Sequence, residues 1–224
     1  MRVLASIAVI PVLFVGWQLW SDHSFEHRLT PIASGIAGRS VEVDCQSLWG
    51  SLLDAKGREG EVYFDASGAP ERRLFLTRKV CNGLRSFDES ASHPELDCLR
   101  TIEWDVPDPL PYSSECFARA SGTIYAILIL SHESYHTAGS REEAETNCFA
   151  IQAMAWTAME LGAPQGEAEL LALAMEALEP GQGSDYGTNE CHGGERLDLH
   201  PETPAFPTEF PLVAPGGLGR FAPQ

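Results

Sequence analysis

The sequence predicts an α+β protein, and three observations predict it. Short stretches of alternating apolar residues occupy the first part of the body, helical periodicity fills the second, and six cysteines are spread through both. Strands first and helices second argue for a small N-terminal sheet packed on helices rather than an alternating parallel architecture. The 224 residues are 44% apolar, enough to fill one core. The formal charge is −17 and it is lopsided: residues 1–100 hold 11 Lys/Arg against 13 Asp/Glu, residues 101–224 only 4 against 19. Such a surface repels phosphate backbones, so no nucleic-acid partner is expected, and it favours cationic over anionic substrates.

From Val3 to Ser21 the chain carries no charge. Nineteen residues at about 1.5 Å each cover roughly the 30 Å of a bilayer core, so residues 1–21 are expected to be a transmembrane anchor. Trp17 and Trp20 suit an interfacial belt, and Arg2 as the positive flank places the body outside the cytoplasm. The alternative is a secreted chain released by signal cleavage near Ala33-Ser34-Gly35. Residues 22–40, with two His and a Pro, are expected to form a linker, in which the His23/His27 pair is accidental.

The folded domain is expected over residues 41–200. Val41 and Val43, Val62 and Phe64, and Leu74 to Leu76 mark three short strands. Ser47 suits the cap of a helix carrying Leu48, Trp49, Leu52 and Leu53, and a second short helix starts near Thr77 with Val80 and Leu84. Residues 86–112, rich in Ser, Pro and Asp, are expected to be loop. Three helices follow: Ser114 to His136, Glu142 to Leu161, and about Gly166 to Leu178, separated at Gly139 and at Gly162-Ala163-Pro164. Trp104 and Trp156 read as core or surface anchors. Residues 201–224 hold six prolines and little periodicity, the signature of a flexible tail. Cys45, Cys81, Cys98, Cys116, Cys148 and Cys191 form no CxxC pair; an even number in an exported chain reads as up to three disulfides, with pairing left open by spacing.

The chemistry lies in the string SHESYH. His132, Glu133 and His136 stand in the order H-E-x-x-H directly after the apolar run TIYAILIL. Histidines four apart share one helix face with about 5–6 Å between their β-carbons, so both imidazoles reach one ion. The apolar run implies a buried helix, where two imidazoles and a carboxylate need a strong compensating partner. A catalytic zinc takes three protein ligands and keeps one position open. Glu133 is then the general base and acid. The turn at Thr137 to Ser140 returns the chain to a helix starting Arg141-Glu142-Glu143, and Glu143 is the expected third ligand. It also completes a capping-box spacing with Ser140, and Glu142 and Glu145 compete for the same role. Asn147, one turn on, suits a support for a ligating imidazole, and a disulfide from Cys148 would pin the ligand helix. Tyr135, Tyr186, His192 and His200 are the candidates for a transition-state donor.

The string E-x-x-x-N-x-F-A from Glu143 to Ala150, a few residues after H-E-x-x-H, resembles the minigluzincin zinc peptidases, in particular the ImmA/IrrE group. The resemblance covers Ser131 to Ala150, and more weakly Gly68 to Leu76, which resembles the Gly-led edge strand along which such peptidases bind extended substrate. It implies a zincin-like fold, in which a small sheet packs on an active-site helix followed by two further helices. It implies one zinc ion held by His132, His136 and Glu143, with Asn147 supporting a ligating histidine. Thr146, the cysteines and the anchor depart from the cytoplasmic members. The expected activity is zinc-dependent hydrolysis of a peptide or protein substrate at the outer face of a membrane. The alternative is a non-catalytic, disulfide-framed envelope or binding protein with a structural metal.

Overall fold

The computed structural model describes residues 21–47, 58–90, 92–104, 109–178, 184–203, 205–208 and 214–221. The helix expected after Ser47 lies outside them, as does all but the last residue of the apolar segment 1–21. Among the described residues no helix is long and apolar enough to cross a membrane. The expectation of a membrane-anchored chain is therefore corrected, while the disulfides fit an extracellular or secreted protein.

A second correction concerns the linker. Residues 21–37 are helical (α1), and Phe25, Leu29, Ile32, Ala33, Ile36 and Ala37 bury one stripe of that helix in the core. Their spacing is that of an amphipathic helix, and burial of the stripe outweighs Pro31, which a helix interior ordinarily rejects by about 3 kcal/mol.

Three strands form one mixed sheet in the order β1-β3-β2: β1 Glu42–Cys45, β2 Gly60–Phe64 and β3 Pro70–Leu76. β1 runs parallel to β3, with Val43 opposite Leu74, and β2 runs antiparallel to it. Val43, Leu74 and Leu76 are buried. On the solvated face Arg73 bridges Glu42 and Asp44 across the parallel pair. The β2–β3 turn closes through Asp65, whose carboxylate accepts from the Ser67 and Ala69 amides, with Gly68 in the left-handed region at φ 80°. β3 is thus the central strand, which corrects the resemblance of Gly68 to Leu76 to an edge strand; the edges are β1 and β2.

α2 (Arg78–Asp88) starts at Thr77, whose hydroxyl accepts from the Val80 amide. Residues 86–112 are not wholly loop, because α2 extends to Asp88 and a 3₁₀ helix spans Pro94–Thr101. α3 (Glu115–Ala138) is capped by Ser114, accepting from the Phe117 amide, and ends at Gly139 with φ 108°. α4 (Glu143–Glu160) and α5 (Gln165–Ala177) follow. α3 is the centre of the fold, packing on β2, β3, α2, the 3₁₀ helix and α4, while α4 in turn packs on α5. Residues 146–158 of α4 are buried without a break.

All six cysteines pair: Cys45–Cys81 joins β1 to α2, Cys98–Cys116 joins the 3₁₀ helix to α3, and Cys148–Cys191 joins α4 to the segment beyond α5. Gln152, buried on α4, fastens that segment as well, donating to the Leu197 carbonyl and accepting from the Leu199 amide. The tail is only in part what its prolines suggest. The amides of Gly216 and Gly217 donate to the carbonyls of Gly35 and Ile36 at 3.0 and 2.7 Å, and Leu218 is buried. These bonds serve carbonyls at the C-terminal end of α1 that have no partner within the helix.

Candidate metal centre

The last two turns of α3 carry His132, Glu133 and His136, all buried. The helix stops there because Gly139 takes the left-handed conformation, its amide donating to the His136 carbonyl and that of Ser140 to Tyr135. The chain turns through Ser140 and Arg141 and begins α4 beside the histidines. Glu143, in the first turn of α4, brings Oε2 to 3.0 Å from His132 Nε2 and 3.5 Å from His136 Nε2, and the two Nε2 atoms are 2.9 Å apart. Among the described residues these three side chains are the group able to hold a metal ion. Tetrahedral ligands about 2.0–2.1 Å from one ion stand roughly 3.3 Å from each other, so the donor spacing fits a shared cation.

The surroundings act differently on each donor. His136 Nδ1 lies 2.8 Å from the Ser140 carbonyl, which can only accept, so the proton sits on Nδ1 and Nε2 faces the centre. Burial lowers the pKa of His132. Burial also acts downward on His136, but hydrogen bonds to Glu143 and the Ser140 carbonyl outweigh it and raise the value. The two imidazoles hold the Glu143 carboxyl well below the usual carboxylate range. Glu133 is pushed up to about 7, chiefly by burial, the range in which a carboxylate exchanges protons readily near neutrality.

Glu143 is not a capping residue. The N-cap of α4 is Glu142, without a side-chain bond, and Ser140 hydroxyl instead contacts Thr146 at 2.6 Å. Glu145 turns away to Arg196. Asn147 departs from expectation: its amide donates to the Tyr186 carbonyl at 3.2 Å, and the bond that orients the His136 imidazole comes from the Ser140 carbonyl. A backbone group carries no side-chain signature, which is why the sequence does not reveal it.

A cleft of about 760 Å³ opens over the centre. One wall is the edge strand β2, where Gly60 lies so close to Glu133 that a β-carbon would stand 2.5 Å from Glu133 Cγ. The opposite wall is α3, presenting Tyr125, Leu128 and Ile129 one and two turns before His132. Phe64, Tyr112, Tyr125 and Tyr186 line the cleft and are four of the five exposed large apolar residues among the described ones. Tyr125 was findable, since it falls on the histidine face of the helix at seven residues' distance; Gly60 and Tyr112 carry no such signal. Tyr186 lies with its ring 6.1 Å from that of His132, and burial together with Glu143 and Glu133 raises its pKa. Of the other expected donors, Tyr135 is fully buried against Phe149, His192 is exposed away from the cleft, and His200 pairs with Glu202.

The chain matches no protein-family model, no curated protein and no solved structure.

Proposed function

We propose that this chain is a zinc-dependent peptidase of the zincin type, with a minigluzincin-like ligand set of His132, His136 and Glu143. The observation that carries the reading is the convergence of two Nε2 atoms and one carboxylate oxygen at 2.9–3.5 Å, with a buried glutamate beside them and an open cleft in front. A structural zinc site is closed by four protein ligands, whereas three ligands facing a cleft leave room for a reactant. Zinc, when bound, acts as a Lewis acid that polarises a carbonyl and makes water nucleophilic near neutral pH. Glu133 holds the proton taken from the attacking water and returns it to the departing amine. The edge of β2 offers backbone groups to an extended chain, and the aromatic lining offers contact to bulky apolar side chains. A peptide rich in such residues is the substrate class that fits.

The test is metal content with one substitution. The purified chain binds about one zinc per molecule, and Glu133→Gln keeps it while losing peptide cleavage by about 10²–10⁴-fold. Cleavage by Glu133→Gln at the wild-type rate overturns the reading, as does wild-type protein that takes up no zinc.

A further inference from the structure

Hydrolysis at this centre leaves one role unfilled. As the water oxygen bonds to the carbonyl carbon, the π pair moves onto the carbonyl oxygen, and a hydrogen-bond donor aimed at that oxygen lowers the barrier. The cleft holds few candidates. Arg141 lies over the Phe64 ring and donates to the Gly68 carbonyl, and Arg58 is paired with Glu61. The Tyr112 hydroxyl donates to the Leu178 carbonyl, and Tyr125 leans on Tyr112. Tyr186 differs from all of these: it lines the cleft beside His132, is 49% exposed, and its hydroxyl bonds to no described residue.

Its backbone, in contrast, is held. Asn147, one turn beyond the ligand Glu143, donates to the Tyr186 carbonyl, and the neighbouring Cys148 is bonded to Cys191, five residues past Tyr186. One helix therefore fixes both the third ligand and the segment carrying the phenol. Resting on the peptidase reading above, we propose that Tyr186 is the oxyanion donor of this site and that Asn147 is its positioning residue. The Tyr186 O–H donates a hydrogen bond to the carbonyl oxygen as the negative charge grows there, and keeps its proton. When the electron pair returns, the C–N bond breaks and the proton held on Glu133 goes to the amine nitrogen.

The experiment uses the full zinc-loaded chain and two readouts: steady-state cleavage of an apolar peptide, and calorimetric binding of N-phosphoryl-leucyl-alanine amide, a tetrahedral mimic of the reacting centre. Tyr186→Phe is expected to lower kcat by about 10²–10³-fold and to weaken the mimic by a similar factor, with KM and zinc content unchanged. Asn147→Ala is expected to give a smaller loss of the same kind, in kcat and mimic affinity but not in KM. Tyr186→Phe within about twofold of wild type in both readouts overturns the donor assignment while leaving the peptidase reading intact. Wild-type cleavage by Glu133→Gln overturns both.

Discussion

A methyl group on Gly60 would stand 2.5 Å from Glu133 Cγ and 2.6 Å from its Oε1, so the missing side chain is what lets Glu133, the proposed general base, sit where it does. On the proposed zinc-peptidase reading, Gly60→Ala should fold and still bind the metal, because neither the candidate ligands nor a left-handed backbone angle is touched. Displacing Glu133 by about an ångström should lower kcat by about 10²-fold, read from steady-state kinetics beside metal analysis. Glu176 illustrates the opposite situation, a carboxylate with no function in sight. Burial raises its pKa, so the unfolded chain ionises first and folding stability falls as pH rises from the unfolded value through the folded one. Glu176→Gln removes that penalty: its Tm should exceed the wild type's at pH about 8 and match it at pH about 3, where both forms are neutral.

Single elements also carry distinct energies. α1 is part of the core, with Leu29 fully buried, so Leu29→Ala should cost about 2–5 kcal/mol in chemical denaturation. A linker residue would change stability by less than about 0.5 kcal/mol. α1 also marks where the sequence was hardest to read. Its stripe from Phe25 to Ile36 has helical spacing, but Pro31 and the small residues around it argue locally against a helix, and only the distant partners that cover the stripe decide the matter. α3 to α5 were legible within about two residues because burial, caps and turns agree there: Ser114 at one end, Gly139 in the middle, Pro164 before the last. In the candidate site, the convergence of His132, His136 and Glu143, with Glu133 beside them, was legible because a helix face and a tight turn have fixed geometry. Gly60, the Ser140 carbonyl and the central place of β3 were not, since strand order and backbone acceptors depend on long-range packing that local spacing does not encode.

For the molecule as a whole, 32 acidic against 15 basic side chains make self-repulsion the dominant surface electrostatic effect. Exposed pairs such as Arg73–Glu42 and Arg196–Glu190 contribute about 0–1 kcal/mol each and are also weakened by salt. With more than half of the acids lacking a basic counterpart, screening the repulsion should win. Raising sodium chloride from about 20 mM to about 0.5 M should raise the Tm; a falling Tm would mean that specific ion pairs outweigh the net charge.

The bonds from Gly216 and Gly217 to the end of α1 set an order in time. During synthesis α1 leaves the ribosome early, yet two of its terminal carbonyls find their protein partners only when residues 216 and 217 emerge. The clasp waits on a distant stretch of chain and adds only a few contacts, so it should be among the last to fasten and the first to open. The candidate metal-binding side chains His132, His136 and Glu143, eleven residues apart at most, can assemble before it does.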